Sequence, residues 1–363
     1  MSDTLDAILE LARWAPSGDN TQPWRFEIVA ADHVVVHGFD TRDHCVYDLT
    51  GHPSQISIGA MLETLRIAAA AQGYSAAIAR HLDSPDTHPR FDVRLSAATS
   101  SPVERSKAAD LASAIKTRTV QRRPLRTTPL TAPEKTALTE SIGPAFDVIF
   151  IEELRQRLRV AALLWSSAWL RLSMREAYEV HRSVIEWGAK FSEERIPAAA
   201  VGVDPLTSRL MGWAMQDWRR VQFMNRYLAG TVLPRVQLDL IPAIACAVHV
   251  VLVAKSDPKA IDDYVAAGAA VQRLWLTATR LGLQHQPELT PLIFAGYARE
   301  GRMFSADPRM MPAALELDRK LGALIGAGAA RRAVWLGRLG RGKAADARSL
   351  RLPLNRLIVN DAR

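Results

Sequence analysis

The chain has little of what builds an externally braced protein. It holds two cysteines in 363 residues, Cys45 and Cys246. Two thiols can supply neither a disulfide framework nor a cysteine metal cage, so a reduced, cytoplasmic setting is expected. No long hydrophobic run is present. The longest, residues 240–254, is too short to span a bilayer and is interrupted by Pro242 and His249, so it is expected to be a buried strand and no membrane partner is expected. The N-terminal stretch MSDTLDAILELARW is acidic and amphipathic, unlike the basic and then apolar pattern of an export signal. Glycine and proline, at 20 each, are too few for a disordered chain. Several catalytic signatures are missing too: no GxGxxG after a strand, no phosphate-binding GxxxxGK[ST], no HExxH and no GxSxG.

What is present is ordinary in bulk and uneven in detail. Hydrophobic residues make up 48% and charged residues 23%, enough for one large domain or two modest ones. The net charge is +8, and residues 331–363 alone carry +7 of it. Such a tail can meet an anionic group. Nucleic-acid binding usually needs longer and denser basic runs, so no nucleic-acid partner is expected.

Leu5, Ile8, Leu9 and Ala12 have helical spacing, with Asp3 or Thr4 as cap and Pro16 as the stop. A loop over 16–23 precedes a hairpin of 24–29 and 34–36. Polar, irregular residues 40–52 lead into a helix from about Ser54 to Gly73. Strands are expected at 75–81 and 91–97, and helices at 103–116 and from Thr131, where Glu134 completes a capping box. Residues 146–151 read as a strand and 152–190 as a long helical region. Residues 191–235, rich in aromatics, read as a helical insertion packed on the domain, part of it able to act as a lid. A helix from Asp257-Pro258 to Gly282, a loop over 284–287 and a strand over 333–339 complete the reading. Strands and helices mix without strict alternation, which predicts an α+β fold with helices flanking largely antiparallel sheets.

Four stretches carry a resemblance. Ala15-Pro16-Ser17-Gly18-Asp19-Asn20-Thr21-Gln22-Pro23-Trp24 resembles the hallmark loop of the nitroreductase family of flavoproteins. Arg118-Thr119-Val120-Gln121-Arg122-Arg123-Pro124-Leu125 resembles its phosphate-binding arginine segment, with Val120 where the family usually has a hydroxyl. Residues 269–287 are similar to its central helix and flavin-side loop. Arg338-Leu-Gly340 and Ser349-Leu-Arg351-Leu-Pro353 resemble its last strand and basic turn. The hallmark loop here precedes the arginine segment by about a hundred residues. That order is similar to the internally duplicated, pseudo-dimeric branch that includes the Acg-like and MoeY-like proteins, as is Asp48-Leu-Thr-Gly-His52 before a helix.

The resemblance implies a nitroreductase-like fold in two pseudo-repeated halves, a reduced one over 1–100 and a larger one over 101–363. It implies bound FMN, NAD(P)H as co-substrate and a small electron acceptor of nitroaromatic or quinone type. A monomeric pseudo-dimer, able to associate further, replaces the family's two subunits. The cofactor-binding residues it implies are Pro16, Ser17, Gly18, Asn20, Gln22, Arg118, Thr119, Arg122, Gln286, Pro287, Glu288, Arg348 and Arg351. The arginines suit a phosphate by bidentate contact; each alone reads rather as a solvated surface charge, and two clusters in the family's places reverse that for Arg118, Arg122 and Arg351. Asn20 and Gln22 can bond a flavin ring or order their own loop. Residues 286–288 would bring backbone donors to the flavin. Trp24 reads as core, and His285 carries no catalytic role. Flavin does hydride chemistry itself, so no catalytic side chain is expected. The same resemblance leaves two alternatives: a protein that sequesters FMN beneath a lid without turnover, and an accessory protein in molybdopterin cofactor biosynthesis.

Overall fold

The computed structural model describes residues 2–99 and 101–359. Asp361 and Arg363 of the basic tail, and Ser100 at the expected boundary between halves, lie outside the described residues.

Two four-stranded antiparallel sheets dominate. The first is made of β1 (Trp24–Ala30), β2 (His33–Gly38), β3 (Tyr74–Arg80) and β4 (Arg90–Ala97), in the order β1-β2-β4-β3. The second is made of β5 (Phe146–Ile151), β6 (Val248–Ala254), β7 (Gln284–Pro287) and β8 (Ala333–Gly340), in the order β7-β8-β6-β5. All pairings within both sheets are antiparallel. The expected α+β class and antiparallel character are what the structure has. β6 is buried along its whole length, as the continuous apolar run Val-His-Val-Val-Leu-Val-Ala demands of a strand covered on both faces.

The principal helices are α1 (Ser2–Ala12), α2 (His52–Ala71), α3 (Pro102–Ile115), α4 (Ala132–Ser141), α5 (Leu154–Ser173), α6 (Arg175–Val184), α7 (Pro205–Ala214), α8 (Trp218–Tyr227), α9 (Ile261–Arg280), α10 (Thr290–Arg299) and α11 (Met310–Ile325). α2 and α9 are the axial pair. Their crossing is set by two glycines. A Cβ on Gly59 would lie 2.0 Å from the Val265 carbonyl oxygen, and one on Gly268 would lie 2.0 Å from that of Ile56. Only a residue with no side chain lets the backbones approach this closely. Gln272 Nε2 donates to Thr64 Oγ1 at 2.8 Å across the same seam.

Residues 352–359 complete the core under the first sheet. Leu352 and Leu357 are buried in the core formed by α1, α2 and the first sheet, and the Val359 N–H donates to the Phe26 carbonyl. The first sheet's core is therefore not built from residues 1–100 alone.

Several expectations are corrected. α1 begins at Ser2, which puts Asp3 and Thr4 inside its first turn rather than at its cap, and it ends at Ala12, before Pro16. Only the second part of 240–254 is strand. Residues 236–240 form a widened helical turn and Ile241–Ile244 a short helix, because Pro242 has no N–H for a ladder and fits a first helical turn. The helix expected from Asp257 starts at Ile261, where the Asp263 carboxylate accepts the Lys259 and Ala260 N–H groups. Residues 284–287 are strand rather than loop, paired with β8. The helical stretch after 152 breaks at Met174, whose backbone is extended, and stops at Val184. The expected capping box at Thr131 and Glu134 is present.

Candidate functional site

A cavity of about 400 Å³ lies where the N-terminal ends of α2 and α10, the 16–21 loop, the 118–122 segment and the basic 347–351 segment converge. That is within the range of small-molecule sites.

The loop is held in an unusual shape. Asp19, Asn20 and Gln22 have φ values of 50°, 63° and 49°. Asp and Asn tolerate this left-handed region and glutamine does so less readily, so the surroundings must fix the conformation. Ser17 Oγ accepts the Gln22 N–H at 3.0 Å, and Ser57 Oγ on α2 accepts the Gly18 N–H at 3.3 Å. Pro16, Ser17, Gly18 and Asn20 all line the cavity. Gln22 does not. Its amide donates to the Glu193 and Asn20 carbonyls and accepts the Leu352 N–H at 2.8 Å, so every polar atom is spent on structure. The expected ligand contact from Gln22 is corrected to a pin that ties loop, insertion and chain end together. Asn20 is divided: Nδ2 donates to the Glu193 and Arg195 carbonyls, while Oδ1 is buried without a partner. Trp24 is core, as expected.

Three arginines form one wall. Arg118 is 3% exposed; its guanidinium lies 4.4 Å from the Trp275 ring centre and donates to the Trp14 carbonyl, and its Nε has no partner. Arg351 donates to the Ala15 and Leu350 carbonyls. Arg348 donates to those of Lys116 and Arg118 and packs over Trp14. Among the described residues, none of the three has a carboxylate within ion-pair distance. Burial first, then its two like-charged neighbours, drive Arg118 well below the usual arginine value. Burial and the neighbouring Arg348 and Arg13 push Arg351 down to about 9. Buried cations with no counter-charge are costly unless an anion joins them. Thr119 lines the cavity beside them.

Arg122, expected with that cluster, stands elsewhere on the cavity. It donates to the Ala200 carbonyl at 2.9 Å. Burial lowers it to about 10, and the charges acting on it are Asp19, Arg338 and Arg171 rather than Arg118 or Arg351. Asp19 also lines the cavity, and burial raises its carboxyl against the pull of Arg122.

Residues 286–288 reach the cavity with fewer backbone donors than expected. Pro287 has no N–H, and that of Glu288 is bonded to the Leu336 carbonyl at 2.8 Å. Gln286 keeps a buried, unpartnered Oε1. The Glu288 carboxylate instead anchors a buried charge network. It accepts from Arg338 Nη1 at 2.5 Å and from His249 Nδ1 at 2.8 Å, and Arg338 Nη2 reaches the Arg122 carbonyl. The other nitrogen of His249 faces the Ala243 carbonyl, so both ring nitrogens meet acceptors and the ring is an imidazolium. Burial alone would lower His249, but Glu288 overrides it and lifts it to about 10. His285 is different: fully buried between Trp275 and Trp335, it accepts from Trp335 Nε1 and is held neutral, near 3, by burial.

Sequence reasoning named Arg338 and His249 but did not place Arg338 on the cavity or His249 in a buried charge network. A charge and an imidazole inside otherwise apolar strands were the available signal. It also missed the cavity's far end, where Arg171 pairs with Asp239 at 2.6 Å and Tyr47 Oη meets His181 Nε2 at 2.9 Å. No group of three or more potential metal ligands occurs among the described residues.

Comparison with known proteins meets this geometry at the loop. Residues 2–49 match the model of the nitroreductase family, and the hallmark loop, on which the sequence resemblance rests, lies within that match. Two Mycobacterium tuberculosis proteins, from strains CDC 1551 / Oshkosh and ATCC 25618 / H37Rv, both named "Putative NAD(P)H nitroreductase acg", are 36% identical to the chain over 98 residues. That match covers 24% of this chain and only 29% of the length of those relatives. A solved structure titled as a putative nitroreductase from Anabaena variabilis aligns with TM-score 0.40 and 10% identity over 86% of this chain and 69% of that one, a likeness too slight to carry an argument.

Proposed function

We propose that the chain binds FMN in this cavity and works as an oxidoreductase of nitroreductase type, taking electrons from NAD(P)H and passing them to a small nitroaromatic or quinone-type acceptor. The observation that carries the reading is the wall of Arg118, Arg348 and Arg351, three guanidiniums without a carboxylate on one ligand-sized cavity. A phosphate supplies the missing counter-charge and accepts bidentate contacts. The buried, unpartnered Asn20 Oδ1 and Gln286 Oε1 fit the polar edge of a ring system, and Trp275 with Val271 gives it an apolar wall. In this reading Arg118, Thr119, Arg348 and Arg351 hold the phosphate. Pro16, Ser17, Gly18, Asn20, Arg122 and the 286–288 turn border the ring.

Bound there, the flavin supplies the hydride chemistry, and the protein supplies binding, orientation and electrostatics. Arg122 adds positive potential beside the site, which favours electron-rich forms of a ligand. The Glu288–Arg338–His249 network ties the strands beneath it together, with both Glu288 oxygens and both His249 ring nitrogens engaged and Arg338 Nε left buried without a partner. The two halves act as a pseudo-dimer: 1–100 lends the loop, 101–363 the arginines, and residues 352–359 close the first half.

One observation favours the sequestering reading in its place. Asn20 and Gln22 bind the backbone of 193–195, and Arg122 that of Ala200, so the insertion is latched to the site from both sides. Anaerobic titration of the purified yellow protein with NADPH and NADH separates the two. Bleaching of the flavin band followed by recovery on adding a quinone or nitroaromatic supports turnover. A bound flavin that neither nucleotide bleaches supports sequestration. A colourless protein that takes up no added FMN defeats both.

A further inference from the structure

The insertion wears its amphipathicity inside out. On α7, Leu206, Arg209, Leu210 and Trp213 recur at the spacing of one helix face, and all four are exposed, Leu206 at 76%. On α8 the outward residues are Arg219, Phe223, Arg226 and Tyr227, with Phe223 51% and Tyr227 63% exposed and their rings 5.3 Å apart. The inward side of α8 holds Trp218, against Tyr178, and the polar Asn225, which donates to the Leu172 carbonyl. Leu228, Val232 and Leu233 continue the exposed apolar surface past the end of α8. A helix folded only for its own domain would place Phe223 and Tyr227 inward and Asn225 outward.

The charge on this surface has one sign. Residues 205–233 hold four arginines (209, 219, 220 and 226) and one acid, Asp217, which is spent capping α8. None of the four arginines is ion-paired among the described residues. Arg220 donates to the Trp213 carbonyl and Gln216 and lies over the Trp213 ring, and Arg226 lies over Tyr227. Aromatic and aliphatic groups interleaved with arginines that lack a carboxylate partner make the chemistry of a helix pair lying in a membrane interface, where the rings enter the acyl boundary and the guanidiniums meet headgroup phosphates. A second copy is a poor occupant, since it would set four unpaired arginines against four more.

We propose that the α7–α8 face docks on an anionic lipid surface. This departs from the sequence expectation of no membrane partner, and it stands independently of the flavin reading. It would set the insertion, whose Ile196, Ala200 and Val201 wall the cavity, between the site and the lipid.

The test is sedimentation of the full chain with vesicles of phosphatidylcholine alone and of phosphatidylcholine mixed with phosphatidylserine, at low and raised salt. The expected result is binding to the mixed vesicles only, weakened by salt. Phe223→Ser with Tyr227→Ser should lower partitioning at least about tenfold, and Arg219→Glu with Arg226→Glu should abolish the preference for phosphatidylserine. Circular dichroism of these surface variants should match that of the parent. Equal behaviour towards both vesicle types overturns the proposal. So does a dimer in sedimentation velocity that Phe223→Ser dissociates, or binding of soluble polyglutamate that withstands loss of Phe223 and Tyr227 and blocks the vesicles.

Discussion

Replacing Arg118 with methionine should weaken the ligand and spare the fold, an opposition that distinguishes a binding charge from a structural one. Arg118 is buried, stacks on Trp275, gives one hydrogen bond to the Trp14 carbonyl and has Arg348 and Arg351 as its charged neighbours. Methionine keeps much of the packing. It forfeits the cation–π contact, worth about 1–2 kcal/mol, and one hydrogen bond of about 1 kcal/mol. It also relieves a buried charge that has no counter-ion, whose desolvation costs on the order of several kcal/mol. The ligand-free protein should therefore melt close to, or above, the parent. Binding should suffer, because a charge-assisted contact to phosphate is worth about 1.5–3 kcal/mol, roughly a 10- to 150-fold loss of affinity. At a ligand concentration one hundred times the parent's Kd, ligand stabilisation would drop from about 2.7 kcal/mol to about 1.4 for a tenfold loss, or 0.4 for a hundredfold loss. Thermal melts with and without FMN, and with inorganic phosphate as a smaller probe, measure both numbers. Unchanged FMN affinity would refute the phosphate assignment. A ligand-free protein destabilised by more than about 3 kcal/mol would show that Arg118 is structural instead.

Other consequences follow from the same contacts. Gly268→Val should cost at least about 3 kcal/mol in urea unfolding, since its Cβ would sit 2.0 Å from the Ile56 carbonyl oxygen and the α2–α9 pair would have to separate. His249 is lifted from 6.5 to about 10 by Glu288, against the opposing effect of burial. Its contribution to stability is whole below about pH 6.5 and is lost as pH rises towards 10, at up to about 1.4 kcal/mol per pH unit; His249→Gln should flatten that part of a stability–pH profile. Gln22→Ala frees the Glu193 carbonyl and the Leu352 N–H, so flavin release, followed by fluorescence recovery on dilution, should quicken severalfold. An unaltered release rate would mean that 193–195 is not a latch.

Periodic segments were legible from residues alone. β5 was bounded to the residue by its alternation, and the start of α4 was set by Thr131 and Glu134, because local sterics and capping fix such elements. The hallmark loop was legible too, and the family match falls on it. The 284–287 segment was not, since a Gln-His-Gln-Pro stretch becomes a strand only when β8 lies beside it. The helices over 290–332 went unread for a related reason: their burial depends on the second sheet and on α5.

What the sequence determined by itself, then, was the class of elements, the loop's shape-giving residues and the presence of basic clusters near 118–122 and the C-terminal end. Tertiary structure decided how they are used. It set Arg118 with Arg348 and Arg351 but drew Arg122 towards Asp19, and it turned Gln22 from a ligand candidate into a pin. It also made His249 a buried cation and left the aromatic side of α8 facing outward. Periodicity and capping are written over a few neighbouring residues. Which charge meets which, and which face of a helix is covered, depend on partners hundreds of positions away.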